Sequence, residues 1–479
     1  MRVNQYKIIT ITCILLACLL VGCGRQQVVV DDTDSFESST GSTSSTGSTG
    51  GAFSDNALAK QLGITESKWQ ETLFIESNGI NSIEIDADII LPDTNHMCVL
   101  TLEQDEMTGE RKQALIETLA QAGSIGVYDE EKPPKWKADS MVKLNEDLLA
   151  KQQAVGEEGV PVKDVMEETE KNLRAARQAA ESAEETAVPS KDYKEQAYWG
   201  MVDGTPWTFT FEDTGFCFEA GDFKPFDTSG SDFTHFSLGY SWGDSGEEDG
   251  EAQVNFCAMS EREAESQAIT FLEKLGYEGY SLSRIMPLLW MEVSYYDVES
   301  WLDGWYVVLG RNVDGIVVEP EEYQFPPIDT DGVPVQKCKT EQAILWINSN
   351  GIMHCEMTNT LQVKNVDTQN TQLLDFTQIQ QLMKDSLEKR AMERGDFLRE
   401  DTGGRSVVMS EMQLMYLLLP GDSEYVLLPV WRISAGMDDW NVVVNYQFLN
   451  AIDGSEIDFI SDYYEFLSWE EYEKREGSD

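Results

Sequence analysis

An α+β fold, several small antiparallel-sheet-plus-helix domains following a flexible tether, is what this sequence predicts. Three observations carry that expectation. Apolar and polar residues alternate in short runs around Asn-Gly or Asp-Gly pairs, as in hairpins with one buried face. From about residue 260, an amphipathic helix followed by long strands occurs twice. Strands and helices do not alternate singly, as a parallel βαβ sheet requires. The 479 residues are 41% hydrophobic and include 12 Trp, 17 Tyr and 19 Phe, enough apolar material for about two to four domains.

Charge narrows the function. The chain carries 86 acidic and 35 basic residues, a net charge of −51. Nucleic acid is excluded as a direct partner, because phosphate binding needs clustered Lys and Arg. Anionic membrane surfaces repel such a chain as well, so membrane association has to come from another source.

Residues 1–22 supply one. Arg2 and Lys7 form a basic start, and residues 8–21 are an apolar run shorter than the roughly 20 residues of a spanning helix. The run ends at Leu20-Val21-Gly22-Cys23, with small residues at the junction. This resembles the bacterial lipobox. The resemblance implies cleavage between Gly22 and Cys23, a diacylglyceryl group on the Cys23 thiol, and a protein held at the outer side of the cell membrane. Two or more acyl chains make a stable anchor, whereas one is marginal. No cofactor beyond that lipid is expected.

The elements then follow in order. Residues 23–55 hold the lipidated cysteine and "SSTGSTSSTGSTGG" (38–51), which has nothing apolar to bury and reads as a flexible tether. Residues 56–133 read as a β-β-β-α domain. Two strands flank Asn78-Gly79, and in the second Ile83, Ile85, Ala87 and Ile89 alternate with Glu84, Asp86 and Asp88. A third strand covers 96–104. A helix over 108–123 would bury Ala114, Leu115, Ile116 and Leu119 and stop at Gly123. Residues 134–190 read as a charged helical hairpin or spacer with a thin stripe of Val165, Met166, Leu173, Ala176 and Ala180. A β-rich segment, 191–258, contains a hairpin around Asp203-Gly204 and a face of Phe211, Phe216, Phe218 and Phe223; its stretch 224–251 reads as acidic loop.

Two helix-plus-sheet units complete the chain. In 259–360, Ser260 and Glu263 have capping-box spacing, and Ala264, Ala268, Phe271, Leu272 and Leu275 form an apolar stripe ending at Gly276. In 361–479, a helix from Thr377 carries Ile379, Leu382, Met383 and Leu387 on one side. Pro429-Val430-Trp431 followed by Asn450-Ala451-Ile452-Asp453-Gly454 resembles the PepSY and YycH/YycI groups of extracytoplasmic domains, over roughly 260–460. The whole chain, with "IDADIILPD" at 85–93, is similar to multi-domain lipoproteins of Gram-positive bacteria. These resemblances imply a cell-surface binding or regulatory role and no known chemistry.

No catalytic constellation stands out. His96, His235 and His354 fall in no H-E-x-x-H or Cys-x-x-Cys…His array, so no metal site is expected from them. His354 and Cys355 are adjacent in a strand and point to opposite faces. Cys98, Cys217, Cys257, Cys338 and Cys355 are scattered, and read as small buried thiols rather than a disulfide framework, with any pairing left open. Asp329 and Asp331 are calcium candidates before the turn glycine Gly332, but they do not complete an EF-hand pattern. Two functions remain: a lipid-anchored protein that binds or modulates another cell-envelope protein, or a surface glycan- or peptide-processing enzyme using paired carboxylates in an aromatic cleft.

Overall fold

Hairpins form where the alternation predicts them, yet they assemble into sheets that cross the expected boundaries. The structure, a computed structural model, describes residues 56–77, 80–127, 135–158, 163–183, 197–220, 233–238, 254–293, 298–318, 322–323, 333–337, 340–367, 371–393, 406–421, 424–436, 442–443 and 446–476. It is mixed α+β with mainly antiparallel sheets. Among the described residues, no helix is long and apolar enough to cross a membrane.

The first described element is a short helix, α1 (Ala57–Leu62). The Asn56 side chain accepts from the Ala59 amide at 3.0 Å, and Gly63 at φ +73° closes the helix in the left-handed region. Strands β1 (Lys68–Ser77) and β2 (Ile80–Ile90) pair antiparallel, Trp69 opposite Ala87 and Leu73 opposite Ile83. Ile83, Ile85, Ala87 and Ile89 are buried and the acidic residues between them exposed, as alternation requires. After β3 (Val99–Gln104), helix α2 (Gly109–Leu119) buries Leu115, Ile116 and Leu119. Ala114 is exposed, because four near-consecutive residues cannot share one helix face. The helix ends at Ala120, ahead of Gly123, and a short strand β4 (Gly126–Val127) follows.

Helices α3 (Lys135–Glu158) and α4 (Lys163–Ser182) form an antiparallel hairpin joined by Arg177–Glu146 at 2.7 Å and Lys135 Nζ–Ala180 O at 3.1 Å. Leu173 and Ala180 of the expected stripe are buried. The hairpin is more than an exposed spacer: Trp136 packs against Trp199, ring centroids 5.1 Å apart.

The next elements are β5 (Ala197–Val202), β6 (Thr205–Phe211), β7 (Phe216–Ala220), β8 (Phe233–Leu238), β9 (Val254–Asn255), helix α5 (Glu261–Lys274), β10 (Tyr280–Val293), β11 (Val298–Val313) and β12 (Ile316–Val317). Then come β13 (Glu322–Tyr323), β14 (Val333–Gln336), β15 (Gln342–Asn348) and β16 (Gly351–Thr358). A central sheet takes the order β4-β5-β6-β7-β16-β15-β11-β10-β8, with β9 and β12 also on β11. Strand β8 lies where a loop was expected; it is recruited by pairing along the long β10. Helix α5 starts with both hydrogen bonds of a capping box at Ser260 and Glu263. Its Ala264, Ala268 and Leu272 cover Phe209, Phe218, Leu345 and Cys355 on one face of the sheet, and the buried residues of α2 join the same core. Thus 191–258 and 259–360 are not separate units: β7 pairs directly with β16.

The chain ends with β17 (Leu361–Asp367), helix α6 (Phe376–Glu393), β18 (Ser406–Pro420), β19 (Tyr425–Ser434), β20 (Val442–Val443), β21 (Gln447–Asn450), β22 (Glu456–Ile457), α7 (Phe459–Tyr463), β23 (Tyr464–Leu467) and α8 (Trp469–Glu476). A terminal sheet runs β1-β2-β18-β19-β21-β22, with β3 pairing both β17 and β19. Strand β2 lies parallel to β18, Ile83 opposite Val407. The expected 56–133 domain therefore does not close on itself. Its strands complete a sheet with the last 120 or so residues of the chain, and its helix belongs to the central core. Ile379, Met383 and Leu387 of α6 are buried against this sheet, with Leu382 half-buried; Phe376 contacts Trp431 at 5.1 Å.

A polar clamp joins the sheets. Arg311 on β11 donates to Glu341 Oε1 at 2.9 Å, and Glu341 Oε1 accepts from the Leu361 amide at 2.7 Å, where the chain passes from β16 to β17. Thr360 donates to the carbonyls of Asp105 (2.8 Å) and Thr214 (3.1 Å) beside it.

Candidate functional site

Several residues singled out in the sequence, Gly22, Cys23, Asp329, Asp331 and Cys338, lie outside the described residues, as do Asn78-Gly79 and the tether. Cys98, Cys217 and Cys355 are free thiols; Cys98, Cys257 and Cys355 are buried, and Cys217 is half-buried. Cys98 Sγ lies 3.6 Å from both Tyr416 Oη and Asp314 Oδ2, and burial pushes its thiol up, away from the reactive thiolate. His96 is exposed, with Nε2 3.5 Å from Asp314 Oδ2. His235 sits on β8, its backbone opposite Met291.

His354 and Cys355 do point to opposite faces. Cys355 lies opposite Phe218 inside the central core. His354, opposite Glu219, faces the other side, together with Cys217, whose partner is Glu356. The register carries this row across the sheet as Trp199, Thr208, Glu219, His354, Trp346 and Tyr306. Helix α3 covers one end of it through Trp136. Trp346, Tyr306, Val308 and Leu288 form a small apolar cluster at the other.

In the middle, His354 Nδ1 lies 3.9 Å from Cys217 Sγ and 3.6 Å from Glu219 Oε1, while Nε2 lies 3.7 Å from Glu356 Oε2. His354 is 4% exposed, with its ring 5.0 Å from that of Trp346. Burial pulls the imidazole down, but Cys217, Glu219 and Glu356 outweigh it and hold His354 well above its ordinary value. Burial pushes the Cys217 thiol up, more than His354 lowers it. Ligand atoms of Cys217, Glu219 and His354 all lie within 4.8 Å of one another. In the sequence, His354 reads as structural and Cys217 as a small buried thiol. The available signal was Cys-x-Glu and His-x-Glu, each placing two polar side chains on one face of a strand; the missing fact was that those strands are neighbours.

The terminal sheet presents a different surface. On β1, Trp69 and Leu73 face α6, while Gln70, Thr72 and Phe74 face outward. Phe74 is 83% exposed, and Val408 on β18 is 47% exposed. Between them runs β2 with Ser82, Glu84, Asp86 and Asp88 on the same face. Lys68 lies 3.5 Å from Asp86 and 3.4 Å from Asp88. Asp86 is held below the usual carboxylate range, first by the hydrogen bond from Gln70 and then by Lys68. Among the described residues, β1 pairs only with β2, so its outer edge offers backbone donors and acceptors.

A cleft of about 350 Å³ separates α3 from the β15–β16 turn, lined by Asp147, Lys151, Phe256, Ser349 and Asn350 among others. Among the described residues, its lining carries one carboxylate, Asp147, beside Lys151.

No family model matches the chain. No curated protein matches it. Among solved structures it is similar to the crystal structure of an uncharacterized protein from Eubacterium rectale, at 13% identity and a TM-score of 0.38, over 84% of this chain and 97% of that one. A likeness at that level carries no argument about activity.

Proposed function

We propose that this is a lipid-anchored extracytoplasmic protein that binds, and so modulates, another protein of the cell envelope through the outward face and edge of β1. The observation that supports it most is Phe74, 83% exposed on an edge strand beside the acidic row Glu84, Asp86 and Asp88. An isolated aromatic at such a place is unusual, since natural edge strands are guarded against pairing. The partner is an extended basic segment. It adds to β1 by main-chain hydrogen bonds, covers Phe74 with an apolar side chain and sets Lys or Arg against the carboxylates. Anchoring rests on the Gly22-Cys23 junction, which keeps the binding face near the membrane while the lipid supplies the attachment.

The test places a photo-cross-linking residue at position 74, or at exposed Glu117 as a control, in intact cells. The expected result is one envelope-protein adduct at 74 and none at 117, competed by basic extended peptides and not by acidic ones, and lost with Cys23→Ala. Palmitate labelling disappears in the same variant. Equal adducts at both positions, or none at 74, reject the binding face; palmitate labelling that survives Cys23→Ala rejects the anchor.

A further inference from the structure

The Cys217–His354 cluster is independent of the partner-binding face and calls for its own account. Its residues come from two adjacent antiparallel strands, β7 and β16, whose side chains on one face stand about 5 Å apart. Such a platform fixes direction as well as distance. Cys217 and Glu219 approach the same ring nitrogen of His354, while Glu356 takes the other.

The geometry points to a divalent transition-metal site of zinc type, with Cys217 Sγ, His354 Nδ1 and one Glu219 oxygen as ligands and an open fourth position. Metal–ligand lengths of roughly 2.0–2.3 Å in a tetrahedron put neighbouring ligand atoms about 3.3–3.6 Å apart. The separations here, 3.9 Å from sulfur to nitrogen and 3.6 Å from nitrogen to oxygen, are within a few tenths of an ångström of that frame. Glu356, its Oε2 3.7 Å from Nε2, stands on the side from which a carboxylate characteristically orients a metal-bound imidazole. The donor set selects the ion. Thiolate and imidazole suit zinc and its neighbours, whereas calcium and magnesium take oxygen. The site is therefore distinct from diffuse cation binding by the acidic surface. Access runs past the half-buried Glu219 and the exposed Glu356, while His354 is shielded beside Trp346. Three protein ligands among the described residues leave a fourth position for water or for a donor from a bound molecule. Cys217 binds as thiolate, its proton passing to solvent.

The test uses the full chain, reduced and freed of metal, titrated with cobalt(II) as a coloured probe for a zinc site. The expected result is a thiolate-to-cobalt absorption band in the near ultraviolet that saturates at one ion per chain and is bleached by one equivalent of zinc. Cys217→Ser, a near-isosteric change, abolishes the band. Glu356→Gln, which removes no ligand, weakens affinity by about 10–100-fold. Absence of the band in the unaltered protein overturns the proposal, and so does a band that survives Cys217→Ser. Displacement of cobalt by millimolar calcium, placing the binding on surface carboxylates, overturns it too.

Discussion

The central and terminal sheets are built from the chain in opposite ways. Every strand of the central sheet lies between Gly126 and Thr358. The terminal sheet takes β1–β3 from the beginning of the described chain and β17–β19, β21 and β22 from its end, and Cys98 donates its amide to Tyr416 across 318 residues. Closing so long a loop costs entropy before any contact is made, so long-range pairing is slow and depends on what has already formed. The central sheet can assemble from neighbouring segments. The terminal sheet cannot form until the chain has come back on itself, and in the sequence all strands of the central sheet lie between its two halves.

The largest test of this difference is deletion of residues 56–104. Without β2, strand β18 loses its parallel neighbour, and amides of β18 and β19 are expected to exchange orders of magnitude faster while β15 and β16 stay protected. Hydrogen exchange with mass spectrometry reads both sheets in one experiment. Unchanged protection in β18 would show that the terminal sheet stands without its first half.

The clamp between the sheets comes next. Arg311→Met leaves Glu341 buried without its cation and is expected to cost about 3–5 kcal/mol in urea unfolding. Exchange in β17 should rise with it, because Leu361 is held by the same carboxylate. A loss confined to the central sheet would mean that the clamp does not couple the two.

Within the terminal core, Trp431→Ala is expected to cost about 3–5 kcal/mol, as Trp431 is fully buried against Phe376. The penalty should appear in β18 and β19 exchange before it appears in the central strands; the reverse order would show that Trp431 supports the central sheet instead.

Smaller effects come from local devices. Ser260→Ala removes the cap of α5, for about 1 kcal/mol. The Glu263 carboxyl is held below its ordinary value by the Ser260 amide and hydroxyl, so its contribution is present above the ordinary carboxylate range and fades as pH falls through the depressed folded value. Stability of Glu263→Gln, which removes the titrating group, should therefore fall less steeply on acidification than that of the unaltered chain; parallel curves would remove Glu263 from the account. Lys68→Ala, on an exposed ion-pair set, should leave the urea unfolding midpoint essentially where it is; a clear shift would give that set a structural role.

The local pieces are legible in the residues alone. The alternation of Ile83, Ile85, Ala87 and Ile89 set the buried face of β2, the Ser260–Glu263 spacing set the start of α5, and the stripe of Ile379, Met383 and Leu387 set the inward side of α6. Each is written over a few residues, because strand and helix periods are local properties of the backbone. Which pieces meet is settled by packing across the whole chain. Nothing near Ile83 names Val407 as its neighbour, and nothing near His354 names Cys217; alternation fixed which face each side chain takes, but pairing partners distant in the chain are chosen by the combined burial of many residues. The same limit hid β8, a strand made by the edge it joins, and divided into separate domains segments that the sheets unite.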